Sequence, residues 1–134
     1  MDLDVRVENG RRVIGRWDRV FEVLSAEPRR QLIVSLLDAP PDQTVSLPER
    51  AINPNVPVDP ERLRQELHHC HLPMLADREF VEWEREPLVA SRGPQFDEVA
   101  TVFEALQSTA TEIPDSLVIG CQRLEREREE EFET

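Results

Sequence analysis

The chain has 134 residues, of which 28 are acidic and 16 are basic, and its formal net charge is −12. This length suits one domain with a small appended element and excludes two large domains. No apolar run approaches the roughly 18 residues of a membrane-spanning helix, and Met1 is followed by Asp2 and Asp4 where a secretory signal would be basic and then apolar, so we expect a cytoplasmic protein with no membrane partner.

Residues 1–16 are predicted to form an N-terminal arm, either a flexible tail or a hairpin. Valines stand on both sides of Asn9-Gly10, a pair well suited to a two-residue hairpin turn. From Trp17 onward the apolar residues follow helical spacing as far as Leu24, which predicts the first helix.

Three elements are predicted after this helix. Apolar residues at the helical period predict a second helix over residues 26–37. Ser46 and Glu49 have the S-x-x-E spacing of a capping box, which predicts a short helix over residues 47–52. Residues 53–59 contain two prolines and are predicted to form a long turn.

The most strongly patterned segment is residues 59–83. Asp59 can cap a helix whose first residue is Pro60, where a missing amide donor costs nothing. Four residues at the helical period are expected to form its buried stripe: Leu63, Leu67, Cys70 and Met74. Pro73 predicts a kink or a new short helical turn before the chain enters a strand.

Two short strands are predicted next, over residues 80–84 and 88–91, joined by a turn. Gly93-Pro94 ends this module. Apolar spacing then predicts a helix over residues 96–108 and another that begins at Asp115.

These elements predict a mainly α (α+β) fold in three parts. Residues 1–16 form the arm, residues 17–93 form a winged helix-turn-helix domain with a short β-wing, and residues 94–134 form an extension with two additional C-terminal helices. The extension contains an apolar set: Val99, Val102, Phe103, Leu106, Leu117 and Leu124.

The segments F-E-V-L-S-A-E-P-R-R-Q-L-I-V-S-L-L, V-S-L-P-E-R-A-I and E-L-H-H-C-H-L-P-M-L-A-D-R-E-F-V-E-W together resemble the winged-helix domains of haloarchaeal proteins that are similar to ArsR-type regulators. The resemblance covers about residues 17–93. It implies a DNA-binding role. Since ArsR-type proteins generally dimerise through helices outside the part that reads DNA, it also implies a homodimer, with dimerisation mediated by the apolar set of the C-terminal extension. It names no operator and no signal.

The composition is also similar to that of proteins from halophilic archaea, because all sixteen basic residues are arginine and lysine is absent. A dense carboxylate surface remains hydrated in molar salt, where the Debye length falls to about 3 Å. The negative net charge is therefore interpreted as an adaptation to the solvent. The charges of individual surface regions are a better indication of the binding partner than the net charge of the chain.

A DNA-binding transcriptional regulator of this type would present residues 60–72 to a major-groove half-site. Arginine reads guanine, glutamine reads adenine, and basic residues near helix ends and in the wing contact phosphates. The base-facing candidates are Arg62, Gln65 and His69. The flanking candidates are Arg64, His68, Arg29, Arg30, Arg85 and Arg92, and the arm adds Arg11, Arg12 and Arg16.

Several alternatives compete with these assignments. The arginines can instead pair with neighbouring carboxylates, and Glu82, Glu84 and Glu86 make the predicted wing acidic, which disfavours contact with phosphate. The alternative function from a different class is a winged-helix module for protein–protein interaction that does not bind DNA. No glycine-rich phosphate loop or nucleophile motif indicates an enzyme or a cofactor.

The cluster from His68 to His71 contains three histidines and one cysteine, and His68 and His71 have the i,i+3 spacing that can place two ring nitrogens on one ion. No second motif supplies the remaining ligands, so we predict no metal site. Cys70 and Cys121 form no recognisable disulfide framework, and both are predicted to be inert core thiols.

Overall fold

The computed structural model describes residues 3–133. Within them, the helices are α1 Leu3–Leu24, α2 Glu27–Asp38, α3 Pro60–Glu66, α4 Leu72–Asp77, α5 Phe96–Ser108, α6 Asp115–Val118 and α7 Gln122–Glu133. The strands are β1 Val45–Ser46, β2 Val81–Glu84 and β3 Val89–Arg92. The fold is therefore mainly helical with a small three-stranded antiparallel sheet, which is the predicted α+β class.

The sheet has the strand order β1-β3-β2, with both pairs antiparallel. Ala90 in the central strand pairs with Val45 on one side and with Trp83 on the other. The strands predicted over residues 80–84 and 88–91 are confirmed to within one residue. β1 was not predicted, because a two-residue strand carries no periodic pattern and exists only through its pairing with β3.

One hydrophobic core joins the helices to the sheet. Its fully buried members come from α1, α2, the long helical segment at residues 60–77, the sheet and α5: Val23, Leu32, Ile33, Leu36, Leu67, Leu72, Leu75, Phe80, Val81, Phe96 and Val99. Burial of each such side chain contributes roughly 1.5–3 kcal/mol before the entropy cost of ordering it. The predicted helices over residues 26–37 and 96–108 supply much of this core and are confirmed.

The prediction of an arm or hairpin is wrong for residues 3–16, because α1 begins at Leu3 and runs without interruption to Leu24. Met1 and Asp2 lie outside the described residues. Asn9-Gly10 favours a hairpin only when the flanking valines can pair as strands, whereas a glycine inside a helix costs only about 1 kcal/mol. The proposed domain boundary at residue 16 therefore falls inside a helix.

The capping-box prediction is also wrong. Ser46 belongs to β1, and Glu49 opens a 3₁₀ turn, Glu49–Ala51, whose N-cap position is Pro48 and receives no side-chain hydrogen bond. A serine in a strand does not direct its hydroxyl to the start of the following helical turn. The expected turn over residues 53–59 contains no helix or strand and is confirmed.

The last predicted helix is divided in two. α6 ends at Val118, and Gly120 adopts φ +97° before α7 begins at Gln122. This left-handed conformation is readily available only to glycine and commonly ends a helix. The helix predicted to begin at Asp115 therefore ends after four residues.

Gly93 closes the sheet against the turn that follows α4. A Cβ atom at this position would lie 2.5 Å from the Glu79 carbonyl oxygen and 2.8 Å from the Val81 nitrogen. The Gly93 amide donates to the Phe80 carbonyl at 2.9 Å, which holds the two chain segments at this close approach. Glycine is therefore required here by contact with backbone atoms rather than by its own φ angle.

Candidate nucleic-acid interface

The segment from Pro60 to Asp77 is one continuous helical stretch. Asp59 caps it as predicted, since its Oδ1 accepts a hydrogen bond from the Glu61 amide at 3.1 Å. Pro60 occupies the first turn, where no amide donor is needed. This cap fixes where the polar face of α3 begins.

The middle of this stretch is a π-helical turn, Leu67–His71, in which the Leu72 amide donates to the Leu67 carbonyl. Such a turn holds one residue more than an α-helical turn and rotates the residues that follow it. His71 is consequently buried and Cys70 is exposed. The prediction that Cys70 faces the core is wrong for this reason, whereas the predicted restart of the helix through Pro73 is confirmed by α4.

Arg29 does not reach solvent as the predicted DNA contact requires. Its side chain is buried: Nε donates to the Val23 carbonyl at 2.9 Å, Nη2 donates to the Glu22 carbonyl at 3.0 Å, and Nη1 lies 2.9 Å from Nδ1 of His71. Burial and the neighbouring Arg29 cation lower the pKa of His71. Arg29 therefore satisfies the C-terminal carbonyls of α1 and joins α2 to the π turn.

The Arg92 side chain also forms hydrogen bonds within the fold. Its Nη2 donates to the carbonyl oxygens of Leu36, Leu37 and Ala39, at 2.8, 3.4 and 3.1 Å, and its guanidinium lies 4.9 Å from the centre of the Phe96 ring. These contacts cap the end of α2. Arg92 therefore has a structural role, and its predicted DNA contact has no support from its position.

Arg30 has a similar but more exposed position. It donates to the Leu24 carbonyl at 2.7 Å and pairs with Glu27 at 3.1 Å. The sequence could not distinguish these arginines from surface ones, because their partners are backbone carbonyls of other helices rather than acidic residues at a regular spacing.

Five of the predicted contact residues do come together. The solvent face of α3 and the π turn, with the β2–β3 turn opposite, encloses a groove of about 460 Å³. Its lining residues are Glu61, Arg64, Gln65, His68, His69, Arg85, Glu86 and Leu88. Residues distant in sequence thus converge on one open surface.

Trp83 contacts two of the residues that line this groove, His68 and Arg85. The His68 ring meets the Trp83 ring edge-on with centroids 5.5 Å apart, and the Arg85 guanidinium carbon lies 5.5 Å from the Trp83 centroid. His69 packs edge-on against His68 at 4.8 Å. Partial burial, followed by the charges of Arg85, His69 and Arg64, lowers the pKa of His68.

Trp83 was not predicted to be part of the site. The signal was its position near the end of the first predicted strand, two residues before Arg85, where a large aromatic side chain is suited to cation–π contact. Its pairing with His68 depends on the hairpin returning over the π turn, which only the tertiary structure shows.

The groove is far less acidic than the whole chain. Arg64 and Arg85 balance Glu61 and Glu86 when the two histidines are neutral, and each histidine that becomes protonated adds one positive charge. Arg62 follows the groove residue Glu61 on α3; its side chain is 80% exposed and forms a 3.5 Å i,i+4 ion pair with Glu66. Such an exposed pair is weak, so Arg62 can exchange it for another anion at little cost.

The arm arginines lie on α1, and none of them lines this groove. Arg16 forms an ion pair with Glu98 of α5 at 3.0 Å. Arg12 and Arg16 border a different groove, between α1 and α5. The predicted contribution of Arg11, Arg12 and Arg16 to the same surface has no support from their positions.

The predicted dimerisation residues do not form one exposed surface. Val99 is completely buried in the core of its own chain, so its assignment to a subunit interface is wrong. Val102 and Phe103 are half-buried against the same core, and Leu124 is half-buried on α7. Leu106 and Leu117 are exposed, by 49% and 66%.

Within residues 3–133, no group of three or more His, Cys, Asp or Glu side chains is arranged to hold a metal ion. In the same part of the chain, none of the helices combines the length and the apolar character needed to cross a bilayer.

The fold and the groove define a mainly helical α+β protein with a polar, arginine- and histidine-containing surface groove. In comparisons with known proteins, no protein-family model, no curated protein and no solved structure matches the chain. The resemblance to ArsR-like winged-helix domains therefore stays a prediction.

Proposed function

We propose that the protein is a DNA-binding transcriptional regulator of a halophilic cytoplasm, in which α3 and the π turn enter the major groove and the β2–β3 hairpin is the wing of a winged helix-turn-helix. The observation that carries the proposal is the convergence of Arg64, Gln65, His68, His69 and Arg85 on one open groove. A B-DNA major groove is about 12 Å wide and admits one helix, so the exposed face of α3 fits it.

The side chains divide into two groups by their chemistry. Arg62 and Gln65 are exposed on α3 and have the donor patterns that recognise guanine and adenine edges. Arg64 and Arg85 stand on opposite sides of the groove, where a phosphate backbone passing between helix and hairpin would meet both. In this proposal the first pair gives sequence preference and the second pair gives general affinity.

The high negative charge of the chain is compatible with this proposal. Long-range repulsion between an acidic surface and DNA vanishes in molar salt, and only groups within a few ångströms of the phosphates matter. The groove itself has balanced charge, and protonation of a histidine makes it positive. Glu86 remains an unfavourable neighbour, so affinity should depend on Arg64 and Arg85 more than on the rest of the hairpin.

The experiment that tests the proposal is selection of duplexes from sheared genomic DNA of the source organism across a potassium chloride series. The native protein should retain discrete fragments. The double variant Arg62→Ala, Gln65→Ala should lose them, because each base contact contributes roughly 1–3 kcal/mol of discrimination.

The matched control is Gln122→Ala, Arg126→Ala, which removes the same two residue types from exposed positions on α7. It should retain the same fragments as the native protein. If the folded native protein retains no DNA at any salt concentration, or if both double variants bind equally well, the proposal is wrong.

A salt series separates the role of Gln65 from the roles of Arg64 and Arg85. Replacing Arg64 or Arg85 by alanine should weaken binding to all sequences alike and reduce the slope of log affinity against log salt by about 1, since one phosphate contact is lost. Replacing Gln65 should change the sequence preference and leave the slope unchanged.

The second candidate function is the protein–protein interaction module. A specific observation favours it: α1 exposes large apolar side chains along most of its length, among them Val7, Ile14 and Phe21. Exposed apolar surface of this extent commonly marks a protein contact. DNA binding and a protein contact use different surfaces of this fold, so one does not exclude the other.

A further inference from the structure

His68 lies close to both arginines that are proposed to contact phosphate. Arg64 precedes it by four residues on the same helical stretch, and Arg85 reaches the same groove from the β2–β3 turn. The half-buried His68 ring meets the Trp83 ring edge-on with the centroids 5.5 Å apart, and the Arg85 guanidinium carbon lies 5.5 Å from the same Trp83 centroid. One aromatic side chain thus holds an imidazole and a guanidinium near each other.

The surroundings of His68 oppose its protonation in the free protein. Partial burial lowers the pKa of His68 below its ordinary value of 6.5, and its positively charged neighbours lower it further. The charged and titratable groups that face it come from α3, the π turn and the β2–β3 turn: Glu61, Arg64, His69, Arg85 and Glu86. The two carboxylates do not offset the lowering, so His68 is neutral at pH 7 in the free protein.

We infer that His68 takes up a proton when a DNA phosphate binds between Arg64 and Arg85, so that the affinity for DNA increases as the pH falls. The inference rests on the proposed DNA-binding function and adds a regulation of the same groove. A bound phosphate offsets the two arginine charges that oppose protonation, and its own negative charge favours the imidazolium. The groove then gains one positive charge exactly where the phosphate lies.

The other two histidines of this segment are less suited to this role. His71 is buried, with its Nδ1 atom 2.9 Å from Nη1 of Arg29, and it does not line the groove. His69 lines the groove but is exposed, and its ring packs on His68 at 4.8 Å. Water screens the charge of an exposed group, so a bound phosphate affects His69 less than the half-buried His68.

The sign and size of the effect follow from reciprocal coupling between the two ligands. If bound phosphate favours the proton on His68, the proton must favour bound DNA by the same factor. One histidine can change the affinity by at most a factor of ten for each pH unit. The affinity should therefore be lowest at high pH and rise as the pH falls toward the pKa of His68 in the free protein.

The test measures the affinity for a duplex that the native protein retains, labelled with a pH-insensitive dye, by fluorescence anisotropy at constant potassium chloride. The native affinity should rise about tenfold between about pH 7.5 and 5.5. His68→Gln should reduce this rise to about twofold or less, because glutamine takes up no proton. His68→Arg should bind tightly over the whole interval, because its charge is permanent.

The matched control is His71→Gln, which removes the buried histidine that does not line the groove. Its folded fraction, measured by circular dichroism at each pH, should retain the native rise in affinity. The inference is wrong if His68→Gln retains the full rise, or if His71→Gln abolishes it while His68→Gln does not.

An NMR titration of the His68 imidazole measures the proton directly. Adding the duplex at constant salt should raise the pKa of His68 above that of the free protein. If the duplex binds and changes neither this pKa nor the pH dependence of affinity, the inference is wrong and the proposed DNA-binding function still holds. A folded protein that binds no duplex at any pH contradicts both.

Discussion

The Arg29 guanidinium and the His71 imidazole meet at 2.9 Å, Nη1 to Nδ1, in the buried contact between α2 and the π turn. A guanidinium can only donate, so Nδ1 of His71 must accept, and the ring is neutral with its proton on Nε2. Burial and the Arg29 charge both lower the pKa of His71, while Glu66 has a smaller opposing effect. The contact thus depends on the protonation state of one histidine.

The first prediction is a pH dependence of stability. Because the pKa of His71 in the folded chain lies below its ordinary value of 6.5, the unfolded chain binds more protons as the pH falls through that value. The stabilisation is therefore fully present above about pH 6.5 and is lost as the pH falls toward the folded-state pKa. Urea unfolding at constant salt between about pH 7.5 and 5.5 measures this loss.

His71→Gln removes this titrating group and should reduce the dependence over that interval, leaving the contribution of His68, whose pKa is also lowered. His69→Gln, which replaces an exposed histidine two residues away, should retain the native slope. Equal slopes for His71→Gln and the native protein would show that the Arg29–His71 contact does not control the acid response.

The second prediction concerns Gly93. Gly93→Ala should destabilise the protein by about 1–3 kcal/mol, because its methyl group would overlap the backbone of Glu79 and Val81. Gly15→Ala provides the control: it lies within α1 with no atom near its added methyl group, and it should stabilise the helix by up to about 1 kcal/mol. Thermal unfolding of the two variants compares them directly, and a tolerated Gly93→Ala would contradict the close approach.

The third prediction separates Arg92 from the arginines of the groove. Arg92→Met should lower the free energy of unfolding by about 1–3 kcal/mol, since the carbonyls at the end of α2 lose their charged donor. DNA affinity of the folded fraction should not change. Arg85→Met should show the reverse behaviour, with stability within about 0.5 kcal/mol of native and weaker DNA binding. If Arg92→Met folds but loses DNA affinity, Arg92 is a DNA contact after all.

The fourth prediction concerns Cys70. Its exposed thiol should react with a maleimide in the folded protein faster than the half-buried Cys121 thiol. Cys70→Ser should change stability by no more than about 0.5 kcal/mol, since no apolar contact in the core is lost. If Cys70 reacts only after unfolding, the π turn does not rotate it outward, and the original prediction of a core thiol would be correct.

Much of the local structure was predictable because it depends on neighbouring residues. The helices at residues 26–37 and 96–108 follow from apolar periodicity, the Asp59 cap from its side chain before Pro60, and the hairpin strands from their composition. The arm failed as a prediction because Asn9-Gly10 serves a hairpin only if the flanking residues pair, and here they continue a helix that α5 and the core hold in place.

The candidate site was predictable only in part, for a similar reason. Arg62 and Gln65 were placed on the exposed face of α3 by periodicity alone, and both are exposed. Beyond Leu67 the α-helical period no longer applies, because the π turn adds one residue, so Cys70 is exposed where a core position was expected and His71 is buried.

The sequence by itself determined the fold class, most helix and strand positions, and the polar face of α3, because helix caps and apolar periods act over a few residues. Only the tertiary structure decided which arginines are bound to groups within the fold and which are available at the surface groove. Arg29 and Arg92 are held by carbonyl groups at the ends of other helices, whereas Arg85 is brought over Trp83 at the edge of the groove. The physical reason is that an arginine finds its partner through three-dimensional packing, and backbone carbonyls are present at every position in the sequence.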